Sequence, residues 1–223
     1  MGTVSLSKQN RLFWLGRYSE RVYTSIQMMQ EQYDRLIDGD GMDYAAFCQG
    51  MGIACPYQDG DDFCRRYLFD GEDFNSVISS VEAMLGNGMV LRETITTPTL
   101  AYLQMARNAM VQAAESSSPG IQLQWVLDDI MAFRGSFDDT VDNENTRNIT
   151  KCGVLVERIS LMLRVNWHTE RLSRELAKLL NRLYKTDLPR NQASVDVISQ
   201  QVLGSGDVDR LTLLSSVEGL FQV

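Results

Sequence analysis

Apolar residues advance by steps of three and four over long stretches of this chain, and nowhere do they alternate as a strand would require. From Ser5 to about Ile37 the positions Leu15, Tyr18, Val22, Ile26, Met29, Tyr33 and Leu36 trace one face of a long helix that no proline interrupts. Asp38-Gly39-Asp40-Gly41 predicts its end, since glycine suits a left-handed cap. Residues 42 to about 70 are less regular. Short helices are expected at Tyr44–Met51 and Phe63–Phe69, with Asp59-Gly60-Asp61-Asp62 as a solvated acidic loop between them. Phe74 to about Thr94 places Val77, Ile78, Val81, Leu85 and Met89 on one face, with Gly86 and Gly88 giving room for a neighbouring helix. Thr97-Pro98 and Ser118-Pro119 are helix-start pairs, so helices are expected over about 98–115 and 119–133, joined by Ser116-Ser117-Ser118. A further helix is expected from about Thr140 to Val165. Trp167 to Tyr184 follows with Leu172, Leu176, Leu179, Leu180 and Leu183 inward, and two short helices close the chain at about Pro189–Leu203 and Val208–Phe221. The pattern predicts an all-α bundle of roughly seven to nine helices.

One motif recurs. Gly16-Arg17-Tyr18-Ser19-Glu20-Arg21 and Gly153-Val154-Leu155-Val156-Glu157-Arg158 both read Gly-x-x-x-Glu-Arg, separated by 137 positions. The same offset aligns Leu15 with Cys152, Tyr18 with Leu155 and Val22 with Ile159, so the apolar phase repeats with the motif. A tandem duplication packed as one body is the expectation, with a first half of about 1–116 and a second of about 117–223.

Composition narrows the function classes. The 223 residues carry 21 Lys and Arg against 29 Asp and Glu, a formal charge of -8, which disfavours nucleic acid and anionic membrane as partners. No leader opens the chain and no apolar run reaches the length of a spanning helix, so a cytoplasmic protein is expected. The four cysteines, Cys48, Cys55, Cys64 and Cys152, form no C-x-x-C pair and there is one histidine, His168, so neither a structural zinc nor any other metal or cofactor is expected. A dimetal carboxylate bundle needs Glu-x-x-His, and the residue three before His168 is Val165.

The stretch Arg11-Leu12-Phe13-Trp14-Leu15-Gly16-Arg17-Tyr18-Ser19-Glu20-Arg21 resembles the alpha-E domain family, an all-helical domain with a Glu-Arg motif that typically occurs in tandem. The resemblance extends through Phe74-Asn75-Ser76, Asn87 and Arg92-Glu93, then Gly135 and Gly153-Val154-Leu155-Val156-Glu157-Arg158. The family's fuller Arg-Glu-Asn-Ala-Arg is here Leu85-Gly86-Asn87-Gly88-Met89, so only the asparagine is kept. The resemblance implies a role in a peptide synthesis or modification system, with an ATP-grasp-type ligase or a transglutaminase-like protein as partner. It also marks Arg17, Glu20, Arg21, Asn87, Arg92, Glu93, Glu157 and Arg158 as a candidate polar cluster.

On a helical wheel Arg17, Glu20 and Arg21 lie largely opposite the stripe through Tyr18, Val22 and Ile26, which reads most simply as a solvated, salt-bridged face. The recurrence at Glu157-Arg158 raises two other readings. Two such helices facing each other could form a polar centre that grips carboxylate or phosphate, or could cross-bond and lock the fold. His168 reads as a surface or capping residue, and Cys152, in phase with Leu15, as core. No nucleotide-binding or nucleophile-elbow motif is present. Three functions therefore stand: a helical accessory to a ligase; an enzyme using Glu20 or Glu157 with Arg17, Arg21 or Arg158 as a carboxylate clamp; and a self-assembling helical scaffold.

Overall fold

The computed structural model describes residues 5–37, 41, 43–204 and 208–222. Among these residues there are ten α-helices, one short 3-10 helix at Thr169–Arg171, and one isolated antiparallel bridge between Arg190 and Phe221. The all-α class is as expected. The count exceeds seven to nine because every short candidate forms, each held by its own cap. Asp43, Asp59, Ser76, Asn143, Asn191 and Asp209 each accept a backbone N–H in the first turn of the helix they precede.

Packing divides the chain into two compact units, residues 1–20 with 141–223, and residues 21–140. Helix α1 (Leu6–Ile37) contributes to both. These limits differ from the halves drawn at about 116/117. Ser116–Ser118 is only the tight link between α5 (Thr97–Glu115) and α6 (Pro119–Thr140), which pack along each other inside one unit. The end expected for α1 at Asp38-Gly39-Asp40 lies outside the described residues.

In the unit 21–140, α2 (Tyr44–Met51), α3 (Gly60–Phe69) and α4 (Val77–Val90) accompany α5 and α6. Tyr44, Phe47, Tyr57, Phe63 and Tyr67 form one aromatic cluster with ring centroids 5.0 to 5.7 Å apart. The expected acidic loop at Asp59–Asp62 is instead the start of α3. Asp59 caps the amide of Asp62, and Asp61 and Asp62 complement the helix dipole in the first turn. On α4 the buried positions are Val77, Ser80, Val81, Met84, Asn87 and Gly88, so the inward face is rotated from the expected one and Met89 is exposed. Gly88 does meet a neighbour, since a Cβ there would overlap the Leu103 side chain, whereas Gly86 faces open space. Helix α6 runs seven residues beyond its expected end. Phe133 and Phe137 meet as tilted rings one turn apart on its buried side, and Ser136 bonds the buried Thr99 hydroxyl at 2.6 Å, which outweighs the weak propensity of Gly135.

In the other unit, the first turns of α1 are joined by α7 (Glu144–Val165), α8 (Leu172–Leu183), α9 (Gln192–Leu203) and α10 (Arg210–Glu218). Helix α7 is the most buried element. Fourteen of its 22 residues are buried, and Asn166 at φ 53° closes it in the left-handed region. Leu176, Leu179 and Leu183 of α8 are fully buried as expected, while Leu172 and Leu180 are half-exposed. Arg164 of α7 forks onto Glu218 of α10, and Arg182 of α8 donates to the buried Asn148 of α7 at 2.8 Å.

Candidate functional site

The two Gly-x-x-x-Glu-Arg copies meet within the unit formed by 1–20 and 141–223. A Cβ on Gly16 would overlap the carbonyl oxygen of Thr150 and lie 3.1 Å from the amide of Val154. A Cβ on Gly153 would overlap the carbonyl oxygen of Phe13 and lie 3.1 Å from the amide of Arg17. Thr150 and Val154 are the residues 137 positions after Phe13 and Arg17, so the two contacts are equivalents exchanged between the helices. The offset found in the sequence is thus also the operator of a local pseudo-twofold between α1 and α7. Glycine is required at both positions because each backbone packs directly on the other, closer than helices carrying side chains approach.

One turn beyond each glycine, on the same face, stands the glutamate. Glu20 is 1% exposed and Glu157 2% exposed. As the helices diverge from the glycine crossing, long charged side chains span the gap. Arg158 grips Glu20 with two parallel bonds, Nε to Oε1 at 2.6 Å and Nη2 to Oε2 at 3.0 Å, and Arg17 Nε donates to Glu157 Oε2 at 2.7 Å. The solvated face read from the wheel is therefore wrong. The side of α1 opposite the Val22 stripe is covered by α7, and charges there are buried in pairs.

A third carboxylate completes the network. Glu175 of α8 accepts from Arg158 Nη1 at 3.2 Å, from Lys178 Nζ at 2.7 Å and from Arg174 Nε at 3.3 Å. Burial pushes the Glu175 carboxyl up, but the hydrogen bond from Lys178 and the charges of Arg158 and Lys178 outweigh it and hold it below the usual value. Burial alone would lower the Arg158 guanidinium, yet Glu20 and Glu175 beside it raise it above its usual value. Arg17 also lies over the Trp14 ring, 4.8 Å from its centroid.

Sequence reasoning singled out four of these residues, Arg17, Glu20, Glu157 and Arg158, and missed Glu175. Its signal is phase, because Glu175, Leu179 and Leu183 recur every four residues on the inward side of α8. Arg21, which the 137-residue offset pairs with Arg158, is half-buried on α1 and belongs to the other unit. Asn87 is buried on α4 of that unit, donating to the Ala83 carbonyl at 3.0 Å, and Arg92 and Glu93 are exposed in the turn after α4. His168, at φ 49° ahead of the 3-10 helix, rests on Trp167 and lies 3.2 Å from Glu170. Cys152 is fully buried, and burial pushes its thiol up to about 12 against the opposing charge of Arg182.

A cavity of about 550 Å³ at the start of α1 is lined by Leu6, Ser7, Gln9, Asn10, Arg11 and Gln222, and by no Glu-Arg residue. Among the described residues no group of three or more His, Cys, Asp or Glu is placed to hold a metal ion, and no helix is long and apolar enough to cross a membrane.

Fold and site together define an all-helical protein whose repeated Glu-Arg motif is built into a buried ion-pair network at a close glycine crossing. The chain belongs to the Alpha-E family, described as a predicted alpha-helical domain with a conserved ER motif, which matches residues 8–182. No curated protein and no solved structure matches it.

Proposed function

We propose that this chain is a helical accessory component of a peptide synthesis or modification system, acting through a protein partner of the ATP-grasp ligase type. The partner class comes from the family resemblance. The observation that carries the non-catalytic reading is the state of the two motif glutamates. Glu20 and Glu157, the residues to which the enzyme reading assigns acid–base work, are buried and each is engaged by an arginine of the facing helix. A general acid or base must reach a substrate proton, and a buried carboxylate held by a guanidinium inside a helix crossing does not. The motif is spent on holding α1 against α7, and binding work falls to the surface.

The test is co-expression of the tagged chain with the ATP-grasp-type ligase encoded nearest to it. Co-elution from low to physiological salt, together with a change in the ligase's ATP turnover, is the expected result. Separate elution at every salt concentration refutes the reading.

A further inference from the structure

The charge of this protein is segregated between its two units. Residues 21–140 contain 18 Asp and Glu against 7 Arg and no Lys, a net of -11, whereas 1–20 with 141–223 contain 14 Lys and Arg against 11 Asp and Glu, a net of +3. Each unit carries part of this charge on one exposed helix face.

On α6 the exposed side follows Ile121, Trp125, Asp128 and Asp139, positions that stay within about one third of a helical turn of each other. Ile121 is 72% exposed and Trp125 62% exposed. The single cation of α6, Arg134, lies over the Tyr23 ring, 4.8 Å from its centroid. Asp129, half-buried beside Asp128, adds to the negative side. The stripe spans about 27 Å at 1.5 Å per residue.

On α8 the exposed side is the opposite in charge. Arg171 at its start, Arg174, Lys178, and Lys185 in the turn that follows recur every three to seven residues along one face. Arg171 lies 3.4 Å from Glu170, and Arg174 and Lys178 share Glu175, which Arg158 also engages, so four cations of the strip stand against two carboxylates and a positive excess remains. Tyr184 stands beside it, 66% exposed, as an apolar anchor comparable to Trp125. This strip spans about 21 Å.

The geometry points to a second copy of this chain as the occupant of the α6 face, docked through its α8. Both surfaces are present on the same molecule, they match in length and oppose in charge, and each carries an exposed aromatic of the kind that anchors interfaces. Because the two faces differ, the contact is heterologous, and each copy offers one face to each of two neighbours. A single helix-on-helix contact is small, so association is weak and reversible, and it depends on ionic strength because the charges lie at the rim.

The experiment is sedimentation of the full chain over a range of concentrations at low and high salt, with two charge-reversed variants. The mass is expected to rise with concentration at low salt and to fall to the monomer at high salt. Asp128→Lys with Asp139→Lys abolishes the rise, as does Arg171→Glu with Lys185→Glu, both variants keeping the wild-type helical circular dichroism because all four residues are exposed. Mixing the two reversed variants, each monomeric alone, restores association at low salt, because reversed α6 of one meets reversed α8 of the other while wild-type α6 of the second meets wild-type α8 of the first. Trp125→Ala weakens wild-type association by about tenfold, in the range of an interface aromatic. A monomeric mass at every concentration in low salt overturns the proposal, and so does association that persists in both reversed variants or fails to return on mixing. None of these results depends on the ligase, so self-association and ligase binding succeed or fail separately.

Discussion

Replacing Gly16 by Ala is the most informative single change. The new Cβ falls on the Thr150 carbonyl oxygen, which is helix backbone and cannot rotate away, so α1 and α7 must separate by about 1 Å or more. Overpacking of this kind costs about 1–3 kcal/mol. Separation also pulls Arg158 off Glu20 and Arg17 off Glu157, and a broken buried pair costs about 3–5 kcal/mol. Against this, Ala is the better helix former by about 1 kcal/mol. The net is a loss of about 3–7 kcal/mol, and at about 2–4 °C per kcal/mol the thermal midpoint followed by helical circular dichroism falls by about 6 °C or more. The molecule contains its own controls. Gly86 and Gly135 also lie within helices, but an added Cβ there meets nothing within 4 Å, so Ala at either position leaves the midpoint unchanged or raises it. Gly153→Ala must match Gly16→Ala through the local twofold, and the double variant must lose less than the sum because both force the same separation. A Gly16→Ala midpoint equal to or above wild type refutes the close-crossing argument.

Three further outcomes follow from the same structure. Glu20→Gln leaves Arg158 without its bidentate partner in a buried site and destabilises by about 3 kcal/mol or more in urea, whereas Arg158→Lys, which keeps the charge but loses the fork, costs less. Glu175 titrates lower in the folded than in the unfolded chain, so its contribution is complete above the ordinary carboxylate range and is lost as pH falls through its folded value. Urea midpoints measured from neutral to acid pH therefore drop, and Glu175→Gln flattens that drop. Burial pushes Cys48 and Cys152 up to about 12 and Cys64 to about 11, so a thiol reagent at about pH 8 modifies only the exposed Cys55 rapidly, and all four cysteines react after denaturation.

The sequence by itself determined the helical class, the position of nearly every helix, and the recurrence of the Glu-Arg motif in phase, but not whether the two copies meet. These properties are carried by local signals: apolar periodicity, capping residues before six of the ten helices, and a motif repeated in phase. It misplaced the end of α6 and the inward face of α4. Local propensity at Gly135 disagrees with the packing of Phe133 and Phe137, and the burial of Met84 and Gly88 depends on which neighbour α4 meets. Tertiary structure alone decided that Glu20 and Glu157 are buried. A helical wheel shows which residues share a face, but whether that face meets water or another helix depends on the partner, and here the partner begins more than a hundred residues away. It also decided that Glu175 joins the network, since a carboxylate within an apolar phase is tolerated only where a distant cation, Arg158, reaches it. The two glycines join both levels. The sequence shows them as a repeated letter, and the crossing of α1 and α7 supplies the reason, because no other residue lets the two backbones touch.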